Sequence, residues 1–179
     1  MKKHYLFGML FALIFVGLMG LFALGLKNDP NKLDLATKNS KIPAFSLPLL
    51  DSHKMISRSD LTTDKAYYLI NFWGSWCPSC YAEHSYLLQL GQRETLYGVN
   101  WKDERSAGSR FIREGGNPFK AIIVDEHSVL AIGMGVYGAP ETFVVKADGT
   151  ILYRYAGPMS EAVWNKEFVP RIKTLEERQ

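Results

Sequence analysis

The chain has 179 residues, of which 47% are hydrophobic, and carries 21 Lys+Arg against 18 Asp+Glu. That balance is only slightly basic and contains no dense basic block, so nothing in it points to a nucleic-acid partner. Its 2 cysteines, Cys77 and Cys80, belong to one motif and are therefore used for something other than stapling the fold.

At the N-terminus Lys2-Lys3-His4 precede an uncharged run from Tyr5 to Leu26, long enough as a helix to cross a hydrocarbon core of about 30 Å. The flanking lysines predict a cytoplasmic N-terminus, with the rest of the chain in the periplasm or an equivalent compartment. A cleaved signal peptide is the other reading, because Ala23-Leu24-Gly25 offers small residues at a cleavage spacing. The run nevertheless exceeds the usual signal core of about 7 to 15 residues, and length favours a retained anchor over residues 1–26. Residues 27–41 are polar, turn-rich and without periodicity, which suits a tether. Residues 42–179 then form one domain able to bury its own core.

Within that domain Pro43 and Pro48 limit the stretch up to Leu61 to a short hairpin or edge element. The run Tyr67 to Phe72 predicts a central strand, and the spacing from Pro78 to Leu90 predicts a helix with Gly91 as its stop. Leu96 to Val99 reads as a second strand, followed by a charged helix from Asp103 to Glu114 closed by Gly115-Gly116. A further strand covers Ala121 to Val124. Phe143-Val144-Val145 and Ile151-Leu152-Tyr153 flank Asp148-Gly149, a hairpin signal, and a last helix runs from Glu161 to Glu177. A βαβ half, a hairpin and a final helix make a thioredoxin-like α/β fold, a central mixed sheet flanked by helices, here with an N-terminal transmembrane helix.

The dithiol lies in Trp76-Cys77-Pro78-Ser79-Cys80, where a strand hands over to a helix. A cysteine at that junction meets free backbone N–H groups and the positive end of the helix dipole, which favour thiolate over thiol. Cys77 is thus the nucleophile, acidic and accessible, and Cys80, one helical turn on and shielded, resolves the mixed disulfide. Structural zinc would need four spaced ligands, and His4, His53, His84 and His127 are scattered. Covalent haem would need a His where Tyr81 stands. A structural bridge closing so small a loop would stabilise little. No metal or organic cofactor is implied. Gly133-Met134-Gly135-Val136-Tyr137-Gly138 matches a dinucleotide fingerprint by letter, but Pro140 and a strand follow where a helix must.

The chain resembles the membrane-tethered thioredoxin-like proteins of cytochrome c maturation, the DsbE/CcmG group. The resemblance covers Ile42 to Arg171 and rests on Asn71-Phe72-Trp73, the dithiol motif, Glu83-His84, Gly98-Val99-Asn100-Trp101-Lys102-Asp103, Gly115-Gly116-Asn117-Pro118 and, most specifically, Gly135 to Thr142. It departs from that group's usual pattern at Ser79, Lys146 and Tyr155. The resemblance implies a single-pass protein of the bacterial inner membrane whose periplasmic domain reduces the haem-binding cysteines of apocytochrome c, or a thiol partner in that pathway. A membrane thiol reductase would supply the electrons. It also implies a cis bond at Pro140 facing the dithiol, with the backbone of Ala139 pairing to an extended client segment. Glu83, one turn after Cys80, then relays the Cys80 proton. Trp76, Tyr137 and Glu141 are the remaining expected client contacts. His84 is expected to pack locally.

Two other functions compete. One is a general disulfide oxidase or isomerase, against which the Pro-Ser dipeptide counts because it lacks a His that would add positive charge beside the thiolate. The other is a thiol metallochaperone using both cysteines and a His.

Overall fold

The computed structural model describes residues 2–25, 39–52 and 54–177. The chain divides into two compact units, Met1–Lys32 and Leu33–Gln179. In the first, helix α1 spans Lys2–Gly25, and its described side chains, Tyr5 and those of 7–22, are exposed. Among the described residues no helix is long and apolar enough to cross a membrane. The tether, up to residue 38, lies outside the described residues.

The second unit opens on Ile42, fully buried, whose N–H donates to the Gly149 carbonyl at 2.9 Å. Strands β1 (Ser46–Pro48) and β2 (Met55–Ser57) pair antiparallel as a short hairpin, the length that the two prolines allow. The main sheet has five strands: β3 (Tyr67–Trp73), β4 (Leu96–Trp101), β5 (Ala121–Asp125), β6 (Glu141–Lys146) and β7 (Ile151–Ala156). Their order is β5-β4-β3-β6-β7, with β3, β4 and β5 parallel and β6 and β7 antiparallel to their neighbours. Every residue of β3 is buried, as a central strand covered on both faces must be.

Alternation along β3 assigns its side chains to two cores. Leu69 and Trp73 face α2 (Pro78–Gly91), α3 (Arg105–Gly115) and the C-terminal helix, whose Trp164, Phe168 and Ile172 close that layer. Tyr68, Ile70 and Phe72 face the N-terminal hairpin and α4 (Val129–Met134), through Phe45, Ile56, Leu130 and Met134.

Three local features differ from the sequence reading. Helix α2 does end at Gly91, but its C-cap is Gln92 in the right-handed region, so Gly91 is not a left-handed stop, and a Cβ there would run into the Pro118 carbonyl oxygen. The short helix α4 carries no sequence signal: it starts after Ser128 in the left-handed region (φ 61) and has no side-chain cap. The last helix is not continuous. A first turn α5 (Glu161–Val163) and a π-helical turn (Trp164–Phe168) precede α6 (Val169–Glu176), which starts anew beside Pro170, a residue without the N–H that an uninterrupted helix needs.

Candidate active site

Strand β3 ends at Trp73, and the chain turns into α2 through Gly74, Ser75 and Trp76. Cys77 is the N-cap of α2, with Pro78 in the first helical turn. Its sulfur accepts a hydrogen bond at 3.2 Å from the Cys80 N–H, which it shares with the Cys77 carbonyl oxygen at 3.1 Å in the first turn of the helix. A negative charge on that sulfur is therefore met both by this amide and by the helix dipole. Cys77 and Cys80 form a disulfide, with their Cα atoms 5.3 Å apart.

Cys77 is not the exposed sulfur that the sequence suggested. It is 1% exposed and Cys80 2%, because the disulfide turns both side chains toward the core while Trp76, Pro78 and Ser79 hold the surface around them. The sulfur of Cys77 lies 3.4 Å from the Ala139 carbonyl oxygen. In the disulfide it has no proton to give, but the reduced thiol can donate there. The Ala139–Pro140 bond is cis. Cys77, Ala139 and Pro140 thus meet, although 62 residues separate Cys77 from Ala139.

Behind the sulfurs lies a buried polar cluster. Glu83, one turn after Cys80 on the same helix face, is 1% exposed. Its Oε2 accepts from the Met159 N–H at 2.6 Å and its Oε1 from the Asn71 Nδ2 at 3.0 Å. Asn71 also donates to Thr142 Oγ1 at 3.1 Å. Burial raises the Glu83 carboxyl from its ordinary value to about 7, with the two hydrogen bonds opposing the shift. A carboxyl poised there can exchange a proton near neutrality.

Two aromatic side chains stand exposed here. Trp76 is 49% exposed and Tyr137 59%. Trp76 folds back so that its Nε1 donates to the Trp101 carbonyl at 3.1 Å, and a Cβ on Gly74 would collide with its indole. Glu141 departs from its expected place beside them. It is 1% exposed and turned inward, because its Oε1 accepts from the Tyr137 and Gly138 N–H groups, both at 3.0 Å, while its Oε2 pairs with Arg154 Nε at 2.8 Å. Its burial raises the carboxyl above the usual range despite those partners. Glu141 therefore shapes the loop, and Tyr137 faces the solvent.

Sequence reasoning missed Arg154, Asn71 and Asp103 as parts of the site. Asp103 ties the Gly74–Trp76 segment to the end of β4, accepting from the Ser75 N–H and the Ser75 hydroxyl, both at 2.7 Å. The sequence signal for it was the Gly98–Asp103 motif, which carries no role by itself. His84 lies in the helix interior face, with Nε2 3.2 Å and 3.1 Å from the Gly115 and Gly116 carbonyl oxygens, linking α2 to the end of α3. Among the described residues no three His, Cys, Asp or Glu side chains stand together as a metal site. Residues Gly133 to Gly138 end α4 and continue as a loop.

The Redoxin family matches residues 37–168. The thiol:disulfide interchange protein DsbE of Escherichia coli (strain K12) is 39% identical over 144 residues, 80% of this chain and 78% of that protein. The chain belongs to the DsbE family of thiol:disulfide interchange proteins. A DsbE-2 protein of Pasteurella multocida (strain Pm70) is 36% identical over 176 residues, covering 98% of this chain and 92% of its own. A DsbE-type protein of Chlorobium tepidum superposes with a TM-score of 0.65 at 21% identity, over 80% of this chain and 99% of that one, a likeness of fold. A thiol-disulfide oxidoreductase of Bacteroides fragilis NCTC 9343 gives 0.59 at 25% identity, over 71% of this chain and 96% of that one. The fold is thioredoxin-like, and this DsbE-family protein is a thiol–disulfide oxidoreductase that carries a Cys-X-X-Cys pair at Cys77 and Cys80.

Proposed function

We propose that the protein is a membrane-anchored periplasmic reductant of cytochrome c maturation. In the reduced protein the Cys77 thiolate attacks a client disulfide, forming a mixed disulfide and releasing one client thiolate. Cys80 then gives its proton to Glu83 and attacks the Cys77 sulfur, which frees the second client thiolate and leaves the Cys77–Cys80 disulfide. Two electrons pass from the dithiol to the client, and a membrane thiol reductase returns them by the same exchange in reverse. The client is apocytochrome c at its haem-binding cysteines, or a thiol partner in that pathway.

The observation that carries this reading is the placement of the Cys77 sulfur at the N-cap of α2, 3.4 Å from the Ala139 carbonyl that precedes cis-Pro140. A client strand laid along that carbonyl would present its sulfur to Cys77 through main-chain pairing, with Trp76 and Tyr137 contacting its side chains. The pathway assignment is supported by the resemblance of the Gly135 to Thr142 motif, and the anchor by the uncharged run from Tyr5 to Leu26 behind Lys2 and Lys3. The deciding experiment is to express Cys80→Ser, trap mixed disulfides through Cys77 in the native envelope and identify the captured chains by mass spectrometry. Capture of cytochrome maturation components is the expected result. Capture of many unrelated envelope proteins would point instead to a general oxidase or isomerase.

A further inference from the structure

The turn that delivers Cys77 is held from one place, the exit of β4. The Cys77 N–H donates to the Gly74 carbonyl at 3.1 Å, which leaves Ser75 and Trp76 as the central residues of the turn. Ser75 is fixed twice by the Asp103 carboxylate, through its N–H and its hydroxyl, both at 2.7 Å. Trp76 is fixed by the Trp101 carbonyl at 3.1 Å. Asn100, fully buried, steadies the same carboxylate with its Nδ2 at 2.7 Å. Between the two anchors Lys102 adopts φ 47, a left-handed conformation that a lysine takes only when its surroundings enforce it. The backbone is strained where it presents both anchors to the redox turn.

The charge of Asp103 is hydrogen-bonded but not neutralised. Among the described residues no Lys or Arg pairs with it. Arg105, two positions on, spends its Nη1 on the Leu49 and Leu50 carbonyls, and Lys102 Nζ lies over the Trp101 ring, 4.8 Å from its centroid. The other charged groups that the chain brings toward the disulfide are Glu83, one turn after Cys80 on α2, and Glu141, two residues after the Ala139 carbonyl that meets Cys77 and itself paired with Arg154. A carboxylate hydrogen-bonded to Ser75, two residues before the nucleophilic sulfur, opposes the helix dipole, which favours thiolate. A less stabilised thiolate makes the reduced pair the better donor.

We propose that Asp103 is a positioning residue for the dithiol, fixing the Gly74–Cys77 turn through Ser75 and restraining ionisation of Cys77 so that the pair stays reducing. The proposal rests on the exchange reaction above. It is tested on the full chain in detergent, by the pH profile of Cys77 alkylation in the reduced protein and by equilibration with glutathione. Asp103→Asn should lower the alkylation midpoint by roughly half a pH unit, about threefold in thiolate fraction, and move the glutathione equilibrium about threefold toward the reduced protein. Asp103→Glu, which keeps the charge, should restore the midpoint to within roughly 0.2 pH unit of wild type. An Asp103→Asn protein with wild-type midpoint and equilibrium overturns the proposal, whatever its melting temperature. Should that variant not fold, Ser75→Ala carries the test: it loosens the turn and leaves the charge, so client reduction should slow severalfold with the midpoint unchanged, and an unchanged rate is the overturning result. Wild-type protein that does not exchange with glutathione would refute the functional reading instead.

Discussion

A carboxylate that accepts two backbone N–H groups and an arginine at once has no capacity left for a client, and this is the position of Glu141. Arg154 completes the arrangement: its Nη1 donates to the Gly135 carbonyl at 2.7 Å and its guanidinium lies 4.5 Å from the centroid of the Tyr137 ring. One buried ion pair thereby fixes both ends of the Gly135–Gly138 loop and holds the exposed Tyr137 ring over a cation. Removing one partner of such a pair strands the other charge in the interior. Arg154→Ala should cost about 3–5 kcal/mol in urea denaturation at pH 7. Burial already favours the neutral Glu141 carboxyl, so the loss should shrink as the pH falls and that carboxyl takes a proton. A loss below about 1 kcal/mol at pH 7 would mean that the pair contributes nothing beyond loop packing.

At the scale of elements, α2 shows where sequence reading succeeds and where it stops. The strand, the Cys-Pro junction and the helical spacing are local signals, and they placed the dithiol at the N-terminus of α2 and the Asp148-Gly149 turn between β6 and β7. Gly91 carries an equally local signal, a stop, and α2 does end there, but without the left-handed glycine that the signal implies. The reason for glycine there comes from Pro118, a distant residue whose carbonyl oxygen occupies the space of a Cβ. The rest of the site was hidden for the same reason. Asp103, Arg154, Thr142 and Met159 reach the redox centre through contacts 13 to 76 residues long, such as Glu141 to Arg154 and Glu83 to Met159, and no periodicity encodes those. Gly91→Ala separates the two kinds of reason. Helix propensity alone predicts a gain of about 1 kcal/mol, whereas overpacking against a backbone atom costs about 1–3 kcal/mol. Backbone cannot yield as a flexible side chain would, so a net loss of stability by thermal melting is expected. A rise in melting temperature would show that Gly91 serves only as a helix end.

For the molecule as a whole, the dithiol chemistry has a price in stability that pH exposes. The folded protein holds Glu83 at about 7 against an ordinary 4.5 for a solvated glutamate, because burial disfavours the charged form. Between those values the folded chain binds more protons than the unfolded one, so stability falls as the pH rises through this window. The contribution of neutral Glu83 is complete below about 4.5 and is lost as the pH passes 7, where burying the carboxylate costs about 3 kcal/mol. Asp148 acts in another window: hydrogen bonds from Lys41 and Thr150 lower it to about 2, so its small, solvent-screened contribution is present above 3.8 and is lost in acid. In the oxidised protein neither cysteine titrates, and comparison with Glu83→Gln separates Glu83 from Glu141, whose carboxyl burial also raises. The unfolding free energy of the oxidised protein should decline from pH 5 to pH 8, and Glu83→Gln, neutral throughout, should flatten the curve. In the reduced protein the same substitution should slow the resolving step and remove its pH dependence near 7, since on the proposed mechanism Glu83 accepts the Cys80 proton. Parallel stability curves for oxidised wild type and Glu83→Gln would show that Glu83 is ionised in the fold without cost, and a carboxylate so stabilised would be a poor base for Cys80.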